Sequence, residues 1–164
     1  MAKIPTGHLL ARIRELFLTC NSKSPINAYI VLSNDCHMSE YTSEFDKRRK
    51  FISGFDGSAG SVVITNSEAL LWTDSRYFLQ AESCLDENWK LMKSGLPGIP
   101  TMQEWLKKMP KNSIVGTDPN YITYIQWEQL RKGLKKSGNS LVAIKENLVD
   151  IVWKEQGREP ELLS

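Results

Sequence analysis

Histidine and cysteine are scarce. His8 and His37 are the only imidazoles, and Cys20, Cys36 and Cys84 are odd in number, far apart and never spaced as CxxC. That scarcity excludes a zinc-finger framework and a disulfide scaffold, and leaves reduced, structural thiols as the expectation. No apolar stretch approaches the roughly 20 residues of a membrane span, and the opening MAKIPTGHLL has no apolar run of signal-peptide length. No membrane partner and a cytoplasmic location are therefore expected. An excess of one charge is also missing, since 21 Lys and Arg against 19 Asp and Glu leave a net +2. These charges are spread along the chain, which is no nucleic-acid footprint, so no nucleic-acid partner is expected. There is no internal repeat and no low-complexity tract.

What is present is a 164-residue chain, one domain by length and able to fold without staples. Thr6 caps a first helix with Leu9, Leu10, Ile13, Leu16 and Phe17 at helical spacing. Residues 27–32 read as a buried strand. Ser43 opens a second helix with Phe45, Arg49 and Ile52 on one face, and the basic run Lys47 to Lys50 reads as a solvated helix surface. Glycines 54, 57 and 60 make an irregular turn before two strands, 61–65 and 69–73, reversed at Asn66 and Ser67. Asp74 then caps a helix over 75–85. Further strands are expected at 89–92, 113–115 (ended by Gly116) and 141–144, with helices from Thr101, over 122–136 and over 147–153. Strands alternating with helices predict an α/β fold of three layers, α/β/α, and the hairpin makes its central sheet mixed. The polar, Pro-containing tail reads as the start of a linker, so the domain is placed at 1–154 and the linker at 155–164.

No complete active site can be assembled from these residues. GSAG at 57–60 lacks the GxSxG spacing of a nucleophile elbow, and a triad of Ser58, His37 and Asp74 has nothing to fix its geometry. The same glycines form neither a Walker loop nor a GxGxxG turn. Asp35, Glu40, Asp56, Asp74 and Asp86 fall at turns and caps, where Asp is favoured for its backbone hydrogen bonds. The catalytic and metal-ligand sets are thus expected to be empty. Arg76 is the informative residue, because a cation in the first turn of a helix opposes the macrodipole. It is either a surface arginine paired with Asp74 or a neighbouring Glu, or a grip for a carboxylate or peptide carbonyl where strand gives way to helix.

Five segments carry a resemblance: HMSEY (37–41), RRKFISGFDGSAG (48–60), LWTDSRYFLQAE (71–82), WKLMKSG (89–95) and KENLVDIVW (145–153). Together they resemble, in order and over nearly the whole chain, the N-terminal domain of cytosolic Xaa-Pro aminopeptidases (aminopeptidase P) of the creatinase/prolidase family. The resemblance implies a mixed sheet with a ribonuclease H-like motif. It also implies a parent hydrolase that removes the N-terminal residue from peptides with proline second, using a water held between two manganese ions. The ligands of that metal pair belong to a C-terminal pita-bread catalytic domain, so this chain is expected to be non-catalytic, to hold no metal, and to wall the cleft of a homodimeric parent. The Arg of the family's WTDxRY motif contacts the bound peptide, and its match is Arg76. His37, Tyr41, Asp74 and Tyr77 lie in the matching segments and take supporting roles. The alternative is a free-standing interaction or dimerisation module without enzymatic activity, favoured by a stop codon directly after Ser164.

Overall fold

The computed structural model describes residues 3–32, 42–57 and 59–157. Six strands form one sheet: β1 (Ala28–Val31), β2 (Ser61–Thr65), β3 (Ala69–Thr73), β4 (Lys90–Lys93), β5 (Ile114–Thr117) and β6 (Ser140–Ala143), in the order β4-β3-β2-β1-β5-β6. β2 pairs antiparallel with both β1 and β3, and the remaining pairings are parallel. One reversed strand among five parallel ones makes the sheet mixed, as the hairpin at 61–73 requires. The helices are α1 (Gly7–Leu16), α2 (Thr42–Ser53), α3 (Phe78–Cys84), α4 (Met102–Lys107), α5 (Tyr124–Lys136) and α6 (Leu148–Glu155).

Successive strand residues point to opposite faces, so the central strands feed two cores. Tyr29, Val62 and Leu71 pack with Leu10 and Ile13 of α1, Ile52 of α2, Ala81 of α3 and Val152 of α6. On the other face Ile30, Val63, Leu70 and Val115 meet Leu106 of α4 and Leu130 and Leu134 of α5. The architecture is α/β in three layers. Thr101 and Thr123 head α4 and α5 with complete capping boxes, closed by Glu104 and Gln126. Each such cap contributes about 1 kcal/mol and explains why those helices start where they do.

Three expectations need correction. The helix after Asp74 is not continuous: Ser75–Tyr77 is a 3-10 turn, and α3 begins at Phe78. Gly116 does not end its strand but lies within β5, between Tyr29 and Val142. A Cβ there would come within 2.7 Å of Ile144 Cγ1, so glycine is required by space. The basic run 47–50 is not a solvated face, because Arg48 and Arg49 are only 6% and 1% exposed. Arg48 Nε and Nη2 each donate at 2.8 Å to Asp150 of α6, and its guanidinium lies 4.2 Å from the Tyr121 ring centroid. Arg49 turns to the glycine loop described below. Two of the four cations are therefore inside the fold and unable to line a phosphate-binding patch.

A second polar knot ties the start of α1 to the turn that follows α3. Asp86 accepts from Thr6 N (2.7 Å), Thr6 Oγ1 (2.9 Å) and Asn88 N (2.9 Å), while Trp89 Nε1 donates to Thr6 Oγ1 (3.0 Å). Thr6 does stand at the N-cap of α1, but its hydroxyl serves this knot and makes no cap hydrogen bond. Burial works against the ionised form of Asp86, yet the main-chain donors Asn88 and Thr6 outweigh it and hold the carboxyl below its ordinary value.

Two measurements follow from these buried charges. Because the folded-state pKa of Asp86 lies below its unfolded value near 4, its stabilisation is complete above pH ~4 and is lost as pH falls through the folded value. Asp86→Asn should therefore lower the denaturation midpoint at pH 7 and flatten its acid dependence below about pH 4. For the buried fork, Asp150→Asn alone should cost about 3 kcal/mol in urea unfolding, since it leaves Arg48 without its counter-charge. Arg48→Met combined with Asp150→Leu should recover most of that loss.

Candidate functional site

The carboxyl ends of the five parallel strands lie on one edge of the sheet, and the loop entering reversed β2 arrives at that same edge. β3 ends at Thr73, and Asp74 turns the chain. Asp74 Oδ1 accepts from Arg76 N at 3.0 Å, the Asx cap that sets the 3-10 turn. The same carboxylate takes Arg76 side-on, with Nε to Oδ1 at 3.0 Å and Nη2 to Oδ2 at 2.9 Å. The Arg76 side chain is 69% exposed. Its fork lowers the Asp74 pKa, chiefly through the side-chain hydrogen bonds, and raises its own. Of the two readings that local chemistry leaves open for Arg76, the pairing with Asp74 is present in this structure.

The turn rests on the glycine loop. Gly54 has φ +83°, a left-handed conformation that glycine alone adopts without strain. Thr73 Oγ1 donates to Ala59 O at 2.6 Å, and Gln80 Nε2 of α3 donates to Asp56 Oδ1. The loop thus grips the chain on both sides of Asp74–Arg76. Phe55, fully buried, meets the Tyr77 ring edge-on at 6.1 Å between centroids, and Tyr77 in turn carries the Arg76 guanidinium 5.1 Å from its ring centroid. One turn beyond, Leu79 is 83% exposed.

Asp74, Arg76 and Tyr77 are therefore brought together, whereas His37 and Tyr41 lie outside the described residues, as does Ser58. Sequence reasoning missed Arg48 and Arg49, although the spacing of Arg49 with Ile52 on one helix face was a signal. Asp118, Asn147 and Tyr121 join Arg48 around a cavity of about 10 Å³ at the ends of β1 and β5. There Asn147 Nδ2 donates to Asp118 Oδ2 at 2.9 Å while its Oδ1 caps α6. A larger depression of about 510 Å³ opens at the opposite end of the sheet, between Asn27, Asn66, Trp105 and Lys111, and contains none of the described candidate site residues Asp74, Arg76 and Tyr77. Among the described residues no three His, Cys, Asp or Glu side chains come together as a metal site would need, and no helix is long and apolar enough to cross a membrane.

Comparison with known proteins gives this geometry a context. The chain is 48% identical over 156 residues to the Xaa-Pro aminopeptidase ApepP of Drosophila melanogaster, covering 93% of this chain and 25% of that protein. It superposes on the crystal structure of X-prolyl aminopeptidase from Caenorhabditis elegans, described as a cytosolic enzyme with a di-nuclear active site. The TM-score is 0.83 at 41% identity, over 94% of this chain and 26% of that one. The N-terminal domain of the cytoplasmic peptidase PepQ of Mycobacterium tuberculosis shares the fold at TM-score 0.62 and 16% identity, covering 87% of this chain and 96% of that one. The chain thus spans about a quarter of the length of the curated relative it matches. Residues 12–152 match the Creatinase/Prolidase N-terminal domain, and with its mixed sheet and its Asp74–Arg76 turn at the carboxyl edge, the chain belongs to that family.

Proposed function

We propose that this chain is the non-catalytic N-terminal domain of an Xaa-Pro aminopeptidase, a cytosolic metallopeptidase that removes the first residue from peptides with proline second. The observation that carries the reading is the fork at Arg76. Asp74 occupies its Nε and one Nη2 donor and so fixes the plane of the guanidinium, leaving Nη1 and the outward Nη2 hydrogen for a peptide carbonyl or carboxylate. Asp74 thus orients, Arg76 binds, and Tyr77 backs the guanidinium with its ring face. His37 and Tyr41 are proposed to support the same wall of the cleft.

The chain's own C-terminal catalytic domain is the partner that this edge faces, in a homodimeric parent. Two manganese ions held there supply the hydrolytic chemistry. The residues described here bind and orient the peptide and limit entry to the cleft. We place the domain at 1–154 and the start of the linker at 155–164, a division that falls within the last turn of α6.

In the intact polypeptide, Arg76→Ala should raise KM for Xaa-Pro peptides roughly tenfold and leave kcat nearly unchanged, as loss of a binding contact does. Steady-state kinetics on a proline-second tripeptide measures it, and an unchanged KM would remove Arg76 from the site. The 164-residue chain alone should release no N-terminal residue from such a peptide, with or without manganese. Metal-dependent cleavage by the purified chain would refute the non-catalytic assignment.

A further inference from the structure

A buried cation directly under the turn has no role in the reading above. Arg49 is the largest fully buried side chain among the described residues. Its Nη1 donates to Gly60 O at 3.1 Å and its Nη2 to Gly57 O. Its guanidinium carbon also lies 5.8 Å from the Phe55 ring centroid. Burying a guanidinium costs several kcal/mol unless its donors are met, so a side chain placed here must be matched by acceptors held in fixed positions. Two of its acceptors are main-chain carbonyls, which the loop presents together to Nη1 and Nη2 in the conformation seen here. Ser53 Oγ helps to set that conformation, accepting from Phe55 N at 3.1 Å while donating to the Arg49 carbonyl.

From this loop two routes lead to Arg76. Through the backbone, Ala59 O accepts from Thr73, the residue before Asp74, and Asp56 accepts from Gln80, one turn after Arg76. Through the rings, Arg49 faces Phe55, Phe55 meets Tyr77, and Tyr77 underlies the Arg76 guanidinium. A side chain at Gly57 would strike the Phe55 ring, so the loop and the ring path are packed as one unit. Arg76 is mostly exposed, and its own contacts are the Asp74 fork and the Tyr77 ring. The direction in which it projects is set by what holds Asp74 and Tyr77.

We infer that Arg49 is a positioning residue for Arg76: by clamping the carbonyls of Gly57 and Gly60, it fixes the loop and the Phe55–Tyr77 pair against which the peptide-binding guanidinium is aimed. This rests on the reading of Arg76 given under Proposed function. It assigns to the RRK motif a task at the substrate end of the domain, with no contact to substrate.

The test is a double-mutant cycle in the intact polypeptide. Arg49→Met should raise KM for a proline-second tripeptide several-fold with kcat unchanged. Arg49→Lys, which keeps a donor for the carbonyls, should recover part of the loss. Arg49→Met on top of Arg76→Ala should add nothing, because the residue being aimed is gone. Effects that multiply, or a KM untouched by Arg49→Met although Arg76→Ala raises it, overturn the inference. Should Arg49→Met fail to fold by thermal melt, Arg49→Lys and Phe55→Leu carry the same cycle. A second readout does not depend on peptide: 15N relaxation of Arg76 Nε in the 164-residue chain should report an ordered side chain, and that order should fall in Arg49→Lys. If Arg76→Ala leaves KM unchanged while the Nε order still depends on Arg49, the peptide role of Arg76 fails and the positioning stands. If the order does not depend on Arg49, the positioning fails whatever the kinetics show.

Discussion

Two guanidiniums inside the fold must be met by acceptors, and most of what distinguishes this domain from a generic α/β sandwich follows from how each is met. Arg48 reaches a carboxylate on the last helix, a match of opposite charges that is strong because the geometry is bidentate and the guanidinium is withdrawn from solvent. Arg49, its neighbour, reaches neutral carbonyls on a loop. A helix places adjacent residues about 100° apart, so these two cations leave α2 in different directions and tie it to different parts of the molecule. One joins α2 to α6, and the other joins it to the entrance of β2.

The reversal of β2 gives that second tie its location. In an all-parallel sheet the connection into each strand arrives at the amino edge, away from the ligand-binding end. Because β2 runs against β1 and β3, its entry loop comes in at the carboxyl edge, beside the turn that leaves β3. The glycine loop and the Asp74–Arg76 turn are thereby neighbours in space though separated by a whole hairpin. The glycines belong to this arrangement: they let backbone lie against the Phe55 ring and the end of β3, which a bulkier chain would prevent.

Much of the architecture was legible from local pattern. The β-branched run 61–65 and the turn at Asn66 and Ser67 gave the hairpin with correct ends, and Thr101 was read as the cap of α4, whereas Thr123, which caps α5 in the same way, was not singled out. The failures have a common cause. Gly116 looks like a strand terminator because glycine usually is one, and only the Ile26 and Ile144 side chains brought from elsewhere make it necessary inside β5. Arg48 looks solvated because its partner, Asp150, is 102 residues away. At the site, the Asp74 pairing was legible because it spans two residues, whereas the ring path through Phe55 required knowing that residues 55 and 77 meet.

The fork between α2 and α6 also bears on how the domain is born. Asp150 stands on the last helix, as do Val149 and Val152, which complete the core over α1 and α2, and Glu155, which pairs with Arg12. Until that helix leaves the ribosome, every earlier element is already synthesised, yet Arg48 lacks Asp150 and the core over α1 and α2 lacks Val149 and Val152. During synthesis, closure of this layer therefore comes with the emergence of a segment of about two turns.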